Sequence, residues 1–236
     1  ICNHICNHIM AASLKIISIG AMSAHPLWSE KGDVRAAHTT TSLVVSGEAV
    51  ILVDPSLPPQ ILLPRLSERT GKGADSVTHV FLTSFHPLRR RGLAAFANAT
   101  VWIGELEQKG VREQLREKLE QARAEQDAEL ARMLREELEI LNACEVAPDK
   151  LAEGVDLFPL PGVAIGSNGL LLPTPATTIL IAGDAVATAE HLEQGRVISP
   201  CFDIQQALES LKEAIEIADM IVPGRDNLIN NPSRRF

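Results

Sequence analysis

The 236 residues carry 22 Lys and Arg against 30 Asp and Glu, a formal charge of −8 that argues against a general nucleic-acid role. At 45 % hydrophobic and 22 % charged, the chain has the make-up of a soluble globular protein, and no apolar run approaches the ~18 residues that would span a bilayer. Four cysteines without framework spacing point to a reducing, cytoplasmic setting rather than a disulfide scaffold.

The first nine residues repeat a four-residue unit that alternates Cys2, His4, Cys6 and His8. Residues 1–9 read as an added or misassigned tail, with Met10 the expected natural start and 10–236 a single domain. The spacing of these soft ligands is too tight for an ordinary structural zinc site. Residues 14–20 alternate as a first strand, and a loop holding His25-Pro26-Leu27-Trp28 follows. Two β-rich runs, 41–46 and 49–53, flank Ser46-Gly47-Glu48 as a hairpin, and Asp54-Pro55 ends the second. Residues 60–70 place Ile61, Leu62, Leu63 and Leu66 on one side of a short helix.

A buried strand at 80–82 then runs into a polar loop with Ser84, His86 and three consecutive arginines, Arg89, Arg90 and Arg91. Residues 92–97 are expected to open a helix, and 100–103 to form a strand. The long polar region 105–146 has Val111, Leu115, Leu119, Leu130, Leu134 and Leu138 at spacings of three and four. That pattern predicts one long helix or a helical hairpin, whose leucine stripe could make a homodimer surface or a lid. Strands are expected at 155–160, 169–172, 177–182 and 220–222, with a helix over 203–218 capped by Asp203.

Four segments in order resemble the metallo-β-lactamase superfamily. They are Thr83 to Gly92 around His86, then Leu160-Pro161-Gly162-Val163 through Ser167, then Gly183-Asp184, and last Pro223-Gly224-Arg225-Asp226. The resemblance runs nearly the full length from Met10. It implies a four-layer α/β/β/α sandwich with a helical insertion at about 105–146. It also implies a dinuclear metal site, usually zinc, formed by histidines and aspartates. Carried onto this chain, the first metal position keeps only His86, because Ser84 and Val163 stand at its other two ligand positions. The second loses its ligands to Leu88, Arg89 and Arg225, and the bridging Asp184 alone remains.

A catalytic zinc takes about three protein ligands, and Leu88 and Val163 offer no lone pairs. Arginine stays protonated at any relevant pH and repels a cation. The expectation is therefore a pseudo-hydrolase without a cofactor. In place of the second metal stands an Arg89–Asp184–Arg225 cluster, and Arg89, Arg90, Arg91 and Arg225 are candidates to receive a small anion. Two alternatives stand beside it. One is a divergent ester, lactone or thioester hydrolase that binds zinc or another divalent ion through His86, Asp184 and a substitute such as His191. The other is an interaction protein that dimerises through the 105–146 helices with an inert pocket. Neither a membrane nor a nucleic acid is an expected partner.

Overall fold

The computed structural model describes residues 12–174 and 176–234. The Cys2, His4, Cys6 and His8 repeat therefore lies outside the described residues. Two six-stranded sheets stack face to face. The first runs in chain order through β1 (Ser13–Ser18), β2 (Thr41–Ser46), β3 (Ala49–Val53), β4 (His79–Leu82), β5 (Thr100–Ile103) and β6 (Glu145–Val146). The second is ordered β12 (Ile229–Asn230), β11 (Met220–Pro223), β10 (Thr178–Gly183), β9 (Asn168–Pro173), β8 (Val155–Pro159) and β7 (Lys150–Ala152).

Strand alternation builds the layers. Val44, Ile51, Val53 and Phe81 point inward from the first sheet to meet Leu170, Leu172, Ile181 and Val222 of the second. Their neighbours Leu43, Leu52, Val80 and Leu82 point the other way, onto Leu62 and Leu66 of helix α1 (Pro59–Thr70). On the far side, Leu180, Ala182 and Ile221 take Leu211 and Ala214 of helix α4 (Ile204–Ile217). Asp203 caps α4 by accepting the N–H groups of Gln205 and Gln206 at 2.9 and 3.0 Å. This is the expected four-layer sandwich.

The polar region resolves into a hairpin of helices α2 (Glu105–Ala124) and α3 (Ala128–Asn142). Its break falls at Gln126, which adopts a positive φ, and Asp127 caps α3 through the Leu130 N–H. The helical part is shorter than 105–146, because Glu145 and Val146 pair with β5 as an edge strand. Leu119, Ala122, Ala131 and Leu134 form the hairpin's own core, with Leu115 and Leu138 packed against it. Residues 92–97 make a four-residue 3-10 turn, Leu93–Phe96, rather than the opening of a helix. Gly92 is seated against the Leu57 carbonyl, where a Cβ would come within 2.6 Å, and Thr100 already belongs to β5, so no room remains for α-helical turns.

Strands β3 and β4 are parallel, and so are β10 and β11. The parallel pairs bring the ends at Asp54 and Thr83 together in one sheet, and those at Asp184 and Arg225 together in the other. The Asn168 N–H donates to the Thr83 carbonyl at 2.9 Å and ties the two sheets at this edge.

Candidate functional site

Arg89 sits in a 3-10 turn, Pro87–Arg89, and is the largest fully buried side chain described, at 1 % exposed. A buried guanidinium must have its donors met. Its Nε donates to Ser84 Oγ at 3.0 Å, Nη1 to Asp54 Oδ2 at 2.5 Å, and Nη2 lies 2.7 Å from Asp184 Oδ2. Arg225 grips the same Asp184 from the other side in a bidentate pair, Nε to Oδ1 and Nη2 to Oδ2, both at 3.0 Å. Arg89, Asp184 and Arg225 are thus brought together. Gly224 makes the approach feasible, since a Cβ there would fall 2.2 Å from Asp184 Oδ1.

Asp54 is the member that sequence reasoning missed. It holds a left-handed conformation, with φ of 49°, at the end of β3, and accepts the Thr83 N–H at 2.9 Å and the Thr83 hydroxyl at 2.8 Å. Asp tolerates that conformation better than most residues. The available signal was its place: an acidic residue closing an apolar strand, beside a loop rich in arginine.

The cluster is balanced, with two guanidinium charges against two carboxylates. Burial alone would raise Asp184, but Arg89 and then Arg225 overcome it and hold the carboxyl well below its ordinary range. Burial prevails at Asp54, which has one arginine instead of two, and pushes it up against the pull of Arg89 and Thr83. Burial acts to lower Arg89, yet Asp184 and Asp54 raise it and keep it charged.

A depressed native carboxylate contributes stability above its unfolded pKa, and that contribution is lost as pH falls toward the native value. Urea unfolding of the wild type and of Asp184→Asn should therefore differ most near neutrality. The gap should narrow steadily as pH drops from about 5 to about 2. A gap that widens on acidification would show that Asp184 is not held ionised by its arginines.

His86 is exposed, and its Nδ1 accepts the Leu88 N–H at 3.2 Å. Desolvation, then Arg89, lower its pKa. Leu88 is half-buried and offers the site only a carbonyl, which accepts from Ser56 Oγ at 2.6 Å. Val163 is half-buried, on the rim of a cavity shared with Ser84 and His86. Arg90 pairs with Glu137 and lies 4.2 Å over the Phe85 ring, while Arg91 is exposed and donates to the Ala37 carbonyl at 2.9 Å.

His191 is 1 % exposed, and its Nδ1 stands 2.9 Å from Thr188 Oγ1. The same hydroxyl lies 3.1 Å from Nε2 of His25, whose ring stacks on Trp28. His191 therefore belongs to a second polar cluster, although Asp184 contributes to its electrostatics. Cys144 is buried against the Ile140 carbonyl, and burial pushes its thiol up to about 11, so it is a packing residue; Cys201 is half-buried.

Glu107, in the first turn of α2, also escaped notice. It is 2 % exposed and accepts the Phe85 N–H and the Gly166 N–H, each at 2.9 Å. One carboxylate thereby joins the loop after β4 to the loop before β9. Burial raises its pKa against these two bonds.

The donor set does not fit a metal centre. Among the described residues no group of three or more His, Cys, Asp or Glu could hold an ion. Both oxygens of Asp184 are taken by guanidinium hydrogens, and the pair of arginines puts positive charge where a cation would have to enter.

A family model described as the metallo-beta-lactamase superfamily matches residues 34–225. A search of curated proteins finds no match. Among solved structures, a metallo-beta-lactamase-type protein from Thermotoga maritima is similar with a TM-score of 0.67 at 18 % identity, over 93 % of this chain and 99 % of that one. AiiA from B. thuringiensis, solved with N-decanoyl-L-homoserine at its active site, gives 0.63 at 20 % identity over 92 % and 94 %. AidC, a dizinc quorum-quenching lactonase, gives 0.63 at 16 % over 87 % and 86 %. At these identities the likeness is one of fold.

Proposed function

This chain belongs to the metallo-β-lactamase superfamily, and we propose that within it the chain is a non-catalytic member, a pseudo-hydrolase whose cavity receives a small anionic ligand. The observation that carries the reading is the double guanidinium grip on Asp184, by Arg89 at 2.7 Å and by Arg225 at 3.0 Å. A superfamily hydrolase needs a metal-bound water brought to a pKa near ~7. Here the position that would bridge two ions is saturated by two cations that cannot ligate.

Neither Ser84 nor His86 replaces that chemistry. Ser84 Oγ is engaged by Arg89, and His86 has no nucleophile hydrogen-bonded to it among the described residues. The ligand-binding half of the reading rests on the cavity that Ser84, His86 and Val163 share. Arg89 and Arg225 are already balanced by carboxylates and Arg90 by Glu137, so the anion's partners are the cavity's unengaged donors.

The test is metal content together with hydrolysis, on protein beginning at Met10 so that the Cys/His repeat cannot carry metal. After growth and reconstitution in zinc, iron and manganese, metal should stay well below one equivalent. Ester, lactone and thioester turnover should stay at background and be indifferent to chelators. A tightly held equivalent with chelator-sensitive turnover would overturn the reading.

A further inference from the structure

From the polar groups left free in the cavity beside Ser84, His86 and Val163, we infer that its ligand is an amphiphilic monoanion: an apolar chain or ring bearing one carboxylate-like head. The inference rests on the reading of this cavity as a ligand site and gives that ligand its chemistry. The cavity has a volume of about 440 Å³, within the usual range for small-molecule sites. Its walls are largely apolar, with Phe85, Val111, Leu115, Ile165 and Phe202 among them. Phe202 is 56 % exposed, an aromatic surface that a bound chain would cover.

The polar lining sorts into two groups. Those already engaged include both acidic side chains: Glu107 accepts two backbone N–H groups, Glu137 pairs with Arg90, and Ser84 Oγ accepts from Arg89. Those left free are His86, Gln114 and Lys118. No hydrogen bond or ion pair engages Gln114 or Lys118 among the described residues. His86 takes the Leu88 N–H on Nδ1, so the proton of the neutral ring sits on Nε2 and makes it a donor.

The free groups thus offer an imidazole N–H, an amide and one ammonium, and no free carboxylate. A head rich in acceptors with a single negative charge matches them. A cationic head would meet the Lys118 ammonium with only the Gln114 amide carbonyl to offset it, and a polyanion would find a single unpaired cation. The apolar walls select for a body that loses its hydration on entry.

The experiment is calorimetric titration of the full chain with three probes below their micelle-forming concentrations: octanoate, acetate and octyltrimethylammonium. Octanoate should bind tighter than acetate by at least about a hundredfold, from methylenes buried on the apolar walls. It should bind tighter than octyltrimethylammonium by at least about tenfold, from the sign of the head. Lys118→Gln should weaken octanoate and acetate alike, by about fivefold, because the two share a head, and Phe202→Ser should narrow the octanoate-to-acetate ratio. Both residues lie outside the arginine network, and both are exposed. Equal affinity for the two eight-carbon probes, no octanoate binding at millimolar concentration, or octanoate binding indifferent to both variants would each overturn the proposal. Metal content tests the pseudo-hydrolase reading separately, so either can fail without the other.

Discussion

Arg89→Met should cost the fold about 3–5 kcal/mol, the range found when one partner of a buried ion pair is removed. Methionine fills much of the volume and removes the charge. It leaves Asp54, 2 % exposed, with only the two Thr83 donors, and strips Asp184 of one of its two guanidinium partners. Ser84 Oγ loses its donor as well. For a chain of this size the loss corresponds to a fall in Tm of roughly 6–20 °C. Thermal and urea unfolding would measure it.

The double variant Arg89→Met, Asp54→Asn should recover part of the loss, because it removes the stranded charge along with its partner. Asp184 would still have its bidentate Arg225. A single-variant loss below about 1 kcal/mol, the ordinary value of an exposed pair, would mean that water reaches the network and that Arg89 does not hold the sheet edges together.

Much of this architecture was legible because it rests on short-range pattern. The alternation of Leu43, Val44 and Val45 and of Ile51, Leu52 and Val53 declares two faces of a sheet, and each face found a different neighbour layer. Asp203 announced its helix. The 3.6-residue leucine rhythm announced the α2–α3 hairpin, but not that the stripe would be used between the two helices themselves. The edge strands β6, β7 and β12 span only two or three residues each, too short for any period to show, and are defined by their partners.

The site divides in the same way. Arg89, Asp184 and Arg225 could be paired in advance because each stands where the resemblance requires a ligand and because opposite charges seek each other when buried. Asp54 and Glu107 act through contacts 35 and 59 residues away in the chain, to Arg89 and to Gly166. Neither has a local signature, since an acid at a strand end and an acid in a first helical turn are commonplace. Their importance appears only when burial is known.

Restoring the missing ligands should restore metal binding. The variant combining Ser84→His, Leu88→Asp, Arg89→His, Val163→His and Arg225→His returns every position that the resemblance assigns to a ligand, with His86 and Asp184 already in place. It should hold about two equivalents of zinc through gel filtration, where the wild type should hold well under one. The gain has two parts that a partial variant separates. Ser84→His with Val163→His alone supplies three imidazoles to the first position while Arg89 and Arg225 stay on Asp184. If lack of lone pairs is the whole obstacle, that pair of changes gives a full equivalent. If the guanidinium charges also repel the ion, the partial variant binds zinc weakly, and tight binding returns only when both arginines become histidine. The second outcome is the one expected, because Arg89 is buried beside the site and its charge is poorly screened. Failure of the folded five-residue variant to hold any zinc would show that the backbone at these loop ends has moved away from ligand geometry. The arginine network would then be a consequence of that departure and not its cause.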